Sequence, residues 1–86
     1  MLRATPTTEN NTATLLLEGK LLAPWVEEVR AMIDRGPQDR PRRINLGAVD
    51  FVDRDGARFL AALRRDGIEL AHCSPFIASL IELHDR

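Results

Sequence analysis

The segment VDFVDRDGARFL, residues 49–60, decides the fold of this 86-residue chain. A short apolar run ends at Asp53, and apolar residues then recur at helical spacing, with Phe59 and Leu63 one turn apart. Asp53 stands at an N-cap position, and Asp55 falls in the first helical turn, where the helix dipole favours negative charge. The segment therefore predicts a strand, a tight turn and a helix N-terminus, an arrangement that often presents polar groups to a partner.

Composition and length predict one globular domain that spans residues 1–86. Apolar residues make up 44% of the chain and charged residues 29%, as in ordinary soluble domains. The formal net charge of −1 argues against binding to nucleic acid or to an anionic membrane. Cys73 is the single cysteine, which excludes an internal disulfide and favours a buried structural thiol. The N-terminal residues contain no long apolar segment, so we expect a cytoplasmic protein without a signal peptide or membrane insertion.

The first half of the chain predicts a β-hairpin followed by a helix. A threonine-rich edge strand at residues 2–8 and a leucine-rich strand at 13–18 flank a turn signal at 9–12. Gly36 and Pro37 are expected to end the first helix near residues 35–37. That helix begins at Pro24, and its apolar face carries Trp25, Val29, Met32 and Ile33.

The second half predicts two further strands and two further helices. Strand 44–52 has more apolar residues than a one-sided alternation, so we expect it to be central in the sheet. A helix follows it as far as about Arg65, and the next strand is predicted at 68–73. Ser74 and Pro75 begin the last helix, whose apolar face carries Phe76, Ile77, Leu80, Ile81 and His84.

The predicted order of elements is β-β-α-β-α-β-α. Strands that alternate with helices predict an α/β fold, here with a mixed, mostly parallel four-stranded sheet and three helices mostly on one side. The N-terminal hairpin supplies an antiparallel edge. The residues expected to share one core are Leu46, Phe51, Phe59, Leu63, Leu70, Ile77 and Leu80.

Residue patterns typical of catalysis or cofactor binding are missing from the sequence. It has no glycine-rich phosphate loop, no Cys/His metal spacing and no Ser, His and Asp in a motif context. His72 and His84 are far apart. Of the nearby carboxylates Asp50, Asp53 and Asp55, the last two are better explained by capping and dipole complementarity. We therefore expect no enzymatic activity, no metal and no cofactor. A solvated basic loop is favoured over a phosphate site at Arg40, Arg42 and Arg43.

The turn Asp53-Arg54-Asp55-Gly56 joins strand 44–52 to a helix of small and aliphatic residues. This pattern resembles the STAS domain, the family of bacterial anti-sigma factor antagonists and of sulfate-transporter tails. In that family an apolar strand runs into an Asp-Ser-Ser-Gly or Asp-Ser-Thr-Gly turn and then a helix. The resemblance extends over nearly the whole chain in the same order, through residues 17–21, 68–70 and 79–83.

Three departures from the family pattern change what the resemblance implies. Arg54 and Asp55 stand at the two Ser positions of the turn, so we expect no phosphorylation there, and Asp55 imitates the charge of a phosphate only in part. Asn45 replaces an Asp of the preceding strand. The family also continues through one more strand and helix than residues 1–86 contain. A sheet edge without that strand is expected to favour homodimer formation by edge pairing.

The resemblance implies a non-enzymatic, non-phosphorylatable protein-protein interaction module in bacterial signalling and transcription regulation. Its expected partner is an anti-sigma factor with a kinase-like ATPase fold. The alternative is an accessory subunit that binds the ATPase of an ABC transporter. An enzyme or a nucleotide-binding switch is disfavoured because no phosphate cradle is visible. The residues expected to bind the partner are Asp53, Arg54, Asp55, Gly56 and Arg58.

Overall fold

The computed structural model describes residues 2–34 and 40–85. Within them the elements follow the predicted order β-β-α-β-α-β-α. The stop predicted for the first helix at residues 35–37 lies outside the described residues. The strands and helices are β1 (Leu2–Glu9), β2 (Thr12–Leu21), α1 (Ala23–Ile33), β3 (Arg43–Val52), α2 (Arg54–Arg65), β4 (Glu69–Ala71) and α3 (Pro75–Leu83).

The four strands form one mixed sheet in the order β1-β2-β3-β4. β1 is antiparallel to β2, whereas β3 is parallel to β2 and β4 is parallel to β3. Asn10 and Asn11 join β1 to β2 with φ angles of 51° and 63°, which asparagine tolerates well and which a tight hairpin turn requires. The predicted α/β fold with an antiparallel edge is confirmed.

The helices all contribute to one apolar core with the inward-facing residues of β2 and β3, so they cover one face of the sheet. In α1, Val29 and Ile33 are buried as predicted, and Met32 packs against the core. Trp25 is only half-buried because Val26, one residue on, takes the inward position. In α3, Ile77 and Ile81 are buried one turn apart, whereas Phe76 is 57% exposed, so its predicted place on the buried face is wrong.

Phe51 is also wrongly predicted as a core residue, because β3 contains two bulges. Relative to β2, β3 has one extra residue between Asn45 and Ala48 and another between Val49 and Phe51. Each extra residue interrupts the alternation of inward and outward side chains. Phe51 therefore points away from the helices and is 40% exposed. The buried positions of β3 are Ile44, Leu46, Val49 and Val52, at a spacing of two, three and three residues.

The fourth strand is shorter than the predicted strand at 68–73. β4 has three residues and pairs only with residues 43–45 of β3. His72 ends it, because the φ angle of 59° at this residue belongs to the left-handed region and not to extended backbone. In the part of the chain that the structure describes, residues 46–52 of β3 consequently have no strand on their outer side.

Ion pairs fix α3 against α2 on the outer surface of the core. The Arg64 guanidinium contacts Glu82 Oε1 at 3.0 Å and also pairs with Asp85, while Arg65 contacts Asp85 Oδ1 at 3.1 Å. The hydrogen bond from Arg64 holds the pKa of the Asp85 carboxyl below its usual range. These contacts link α3 and the residues after it to the last turn of α2, while the burial of Ile77 and Ile81 holds α3 on the core.

Candidate functional site

The carboxylate of Asp53 joins the N-termini of two helices. Its Oδ1 atom accepts a hydrogen bond from the Gly56 backbone N–H at 2.8 Å, which is the N-cap contact expected for α2. Its Oδ2 atom accepts a second hydrogen bond, also at 2.8 Å, from the backbone N–H of Ala23, the first residue of α1. At the N-cap of α1 itself stands Leu22, which makes no side-chain capping bond. One side chain therefore fixes the relative position of both helix starts.

Gly56 brings α2 against the end of β2. A Cβ atom at this position would lie 2.4 Å from the Leu21 backbone oxygen, a distance at which the two atoms overlap. Gly56 is buried, and the Asp53 backbone N–H also donates to Leu21 O at 3.2 Å. The glycine of the turn therefore has a packing reason for being there: any side chain would push the start of α2 away from the sheet.

The remaining three predicted binding residues lie on the surface. Arg54, Asp55 and Arg58 are all exposed and occupy the first two turns of α2. No carboxylate in the described residues lies within 4.0 Å of the Arg54 or Arg58 guanidinium. The five predicted residues thus lie together in the structure but have two different roles. Asp53 and Gly56 hold the scaffold, while Arg54, Asp55 and Arg58 face solvent.

A groove of about 310 Å³ separates α1 from α2 beside these charges. The Arg30 guanidinium lies over the ring of Phe59, 5.0 Å from its centroid, and its Nε contacts Glu27 Oε1 at 3.5 Å. The groove has charged side chains at its rim and small or apolar side chains at its floor. Its lining residues are Ala23, Val26, Glu27, Arg30, Asp55, Arg58, Phe59 and Ala62.

The other polar groups that the sequence singles out have structural roles. Arg40 pairs with Asp66 at 3.6 Å, and Arg43 lies between Glu69 at 3.2 Å and Glu9 at 3.9 Å. Two of the three basic residues considered for phosphate binding are thus engaged by carboxylates of this chain, and Arg43 lies in β3 and not in the predicted loop.

The cysteine and the histidines supply no reactive or metal-binding constellation within residues 2–34 and 40–85. Cys73 is half-buried and packs against the core, and burial raises the pKa of its thiol, which disfavours the reactive thiolate. His72 lies beside Gly47 on the outer face of the sheet. The described ranges contain no cluster of three His, Cys, Asp or Glu side chains able to hold a metal ion. None of their helices has the length and apolar character needed to cross a bilayer.

Comparison of the chain with protein-family models and with curated proteins found no match. Functional inference therefore depends on the groove and its charges.

Sequence reasoning missed two parts of this surface. The bond from Ala23 to Asp53 joins residues 30 positions apart, and the contact of Arg30 with Phe59 depends on how α1 packs against α2. One local signal pointed to the first of them. Leu22 precedes Ala23 and Pro24 where a helix usually has Ser, Thr, Asp or Asn, so α1 needs a cap from elsewhere in the chain.

Proposed function

We propose that this protein is a non-enzymatic interaction module that binds a partner protein at the groove between α1 and α2. One observation carries the proposal: Asp53 joins the starts of both helices, and the exposed Asp55 and Arg58 line the groove that results, with Arg54 exposed one turn before Arg58. A scaffold that is held internally and displays uncompensated charge suits recognition of another protein.

The identity of the partner is proposed from the resemblance to STAS domains. The first candidate is an anti-sigma factor with a kinase-like ATPase fold. This chain would compete with a sigma factor for the surface of that partner and so release the sigma factor. The second is the ATPase of an ABC transporter. Arg54 and Asp55 leave the turn without a hydroxyl for a phosphorylation switch, which favours the second candidate and brings the two nearly level. Both partners place the protein in the bacterial cytoplasm.

Replacement of Asp55 by serine tests the proposed site. Ser is also tolerated near a helix start, so we expect the melting temperature of Asp55→Ser to stay within about 3 °C of the wild type. The variant loses a charge at the contact, and we expect its affinity for the partner to change by about tenfold or more. The partner is recovered by pull-down with mass spectrometry, and calorimetry with the purified pair then gives both dissociation constants.

The matched control is Asp50→Ser, which removes another exposed carboxylate from the end of β3. Asp50 pairs with Lys20 at 3.3 Å on the open face of the sheet, away from the groove. Its substitution should leave the affinity unchanged. Recovery of no specific protein, or equal affinities for the wild type and Asp55→Ser, would contradict the proposed site.

A further inference from the structure

The exposed face of α2 carries a row of arginines. Arg54, Arg58 and Arg65 follow one another at i, i+4 and i+11, which places them on one side of the helix. Arg65 pairs with Asp85, but the first two have no carboxylate of the described chain within 4.0 Å. Among the other arginines of the described chain, Arg30, Arg40, Arg43 and Arg64 have such a partner, whereas the exposed Arg3 and Arg42 have none.

These two unpaired charges stand where the helix itself disfavours them. Arg54 is the first residue of α2, at the positive end of the helix dipole, and Arg58 follows one turn later as a like charge. A negatively charged residue at position 54, in the first turn of α2, would stabilise the helix start better. Residues that break such local rules without a compensating contact in their own chain are expected at functional sites.

The groove beside the row adds an apolar component. Val26 and Phe59 are buried at its floor, and Ala62 is half-buried between them and the row. Arg58 and Arg30 stand at the rim, Arg30 over the Phe59 ring. A volume of about 310 Å³ accommodates one or two apolar side chains. A groove between two helices is a usual docking place for a third helix.

We infer that the partner presents an amphipathic helix whose carboxylates meet Arg54 and Arg58 and whose apolar residues enter the groove between α1 and α2. Charge complementarity selects this occupant, because no described carboxylate lies within 4.0 Å of the Arg54 or Arg58 guanidinium. The inference depends on the proposed function and specifies the chemistry of the partner. It also predicts the sign of the affinity change in Asp55→Ser. The negative charge of Asp55 lies beside the row and repels an acidic helix, so its removal should strengthen binding.

The inference predicts shifts of opposite sign in two variants. The double variant Arg54→Gln/Arg58→Gln should bind the recovered partner at least about tenfold more weakly, whereas Asp55→Ser should bind it more tightly by a similar factor. The melting temperature of the double variant should stay level or rise by up to about 5 °C, because an unfavourable charge leaves the helix start. A merely structural role of the two arginines would instead lower it.

The control is Arg3→Gln/Arg42→Gln, which removes two exposed arginines from β1 and from the segment before β3. Calorimetry should give it the wild-type affinity. Weaker binding by Asp55→Ser together with unchanged or tighter binding by the Arg54/Arg58 variant would overturn the acidic helix and leave the proposed site standing. Wild-type affinity in all variants would overturn both. Recovery of nucleic acid instead of a protein would also overturn the inference.

Discussion

Truncation of Phe59 to alanine is expected to lower the free energy of unfolding by about 3–5 kcal/mol. Phe59 is only 3% exposed, and its ring supports the Arg30 guanidinium at 5.0 Å. Removal of the ring leaves a cavity between α1 and α2 that the helices cannot fill without moving. A domain of this size has a total stability of order 5–10 kcal/mol, so the melting temperature should fall by roughly 15–30 °C.

Phe76→Ala is the matched control for this truncation. It removes the same ring from a position in α3 that is 57% exposed, so we expect a change within about 0.5 kcal/mol. Thermal unfolding followed by circular dichroism measures both variants. A Phe59→Ala variant that melts at the wild-type temperature would show that the packing of α1 on α2, and with it the groove, is wrong.

Substitution of Asp53 by alanine is expected to cost about 2 kcal/mol of stability, the upper end of the range for a single N-cap. The reason is that two helix starts lose an acceptor at once, since both oxygens of the carboxylate receive a backbone N–H at 2.8 Å. Asp53→Asn should cost less, because its amide keeps one acceptor oxygen and loses only the other. Urea titration at neutral pH gives the free energies of both variants.

Asp50→Ala supplies the reference for the loss of a carboxylate that caps nothing. Its ion pair with Lys20 is exposed, and we expect a cost of at most about 0.5 kcal/mol. If Asp53→Ala were no more destabilised than Asp50→Ala, the two hydrogen bonds of Asp53 would make no contribution to the free energy of unfolding. That result would contradict a rigid connection between the two helix starts.

The element order and the start of α2 could be predicted because their signals are local. Asp53 and Gly56 mark the N-terminus of α2 within four residues, and the turn and stop residues separate the remaining elements. The same holds for the hairpin, where two asparagines adopt positive φ angles. Each of these features depends on neighbours in the sequence, and it is these that the structure confirms.

The sequence-based predictions fail where contacts between distant segments determine the position of a residue. The bulges that turn Phe51 outward are set by how β3 meets β2, and no property of residues 44–52 taken alone reveals them. The same applies to the second bond of Asp53, whose donor Ala23 is 30 residues away. Of the candidate site, the exposed charges were predictable from the turn motif, whereas the groove beside them required the packing of two helices.

The fold has two candidate surfaces for binding a partner. One is the groove between α1 and α2. The other is the outer edge of the sheet, where residues 46–52 of β3 have no neighbouring strand in the described part of the chain and β4 is short. Edge pairing with a second copy of the chain would use this second surface. The two surfaces share no residues, so a measurement that maps protection along the chain separates them.

Hydrogen–deuterium exchange of the protein with and without its recovered partner tests the central claim most directly. Helices of a small domain open locally, so the amides of α1 and α2 exchange measurably and report contact along both helices. We predict that the partner slows exchange in residues 23–30 of α1 and 54–62 of α2 and leaves β3 and β4 unchanged. Slowed exchange at residues 46–52 and 69–71, with α1 and α2 unaffected, would contradict the account and assign binding to the sheet edge.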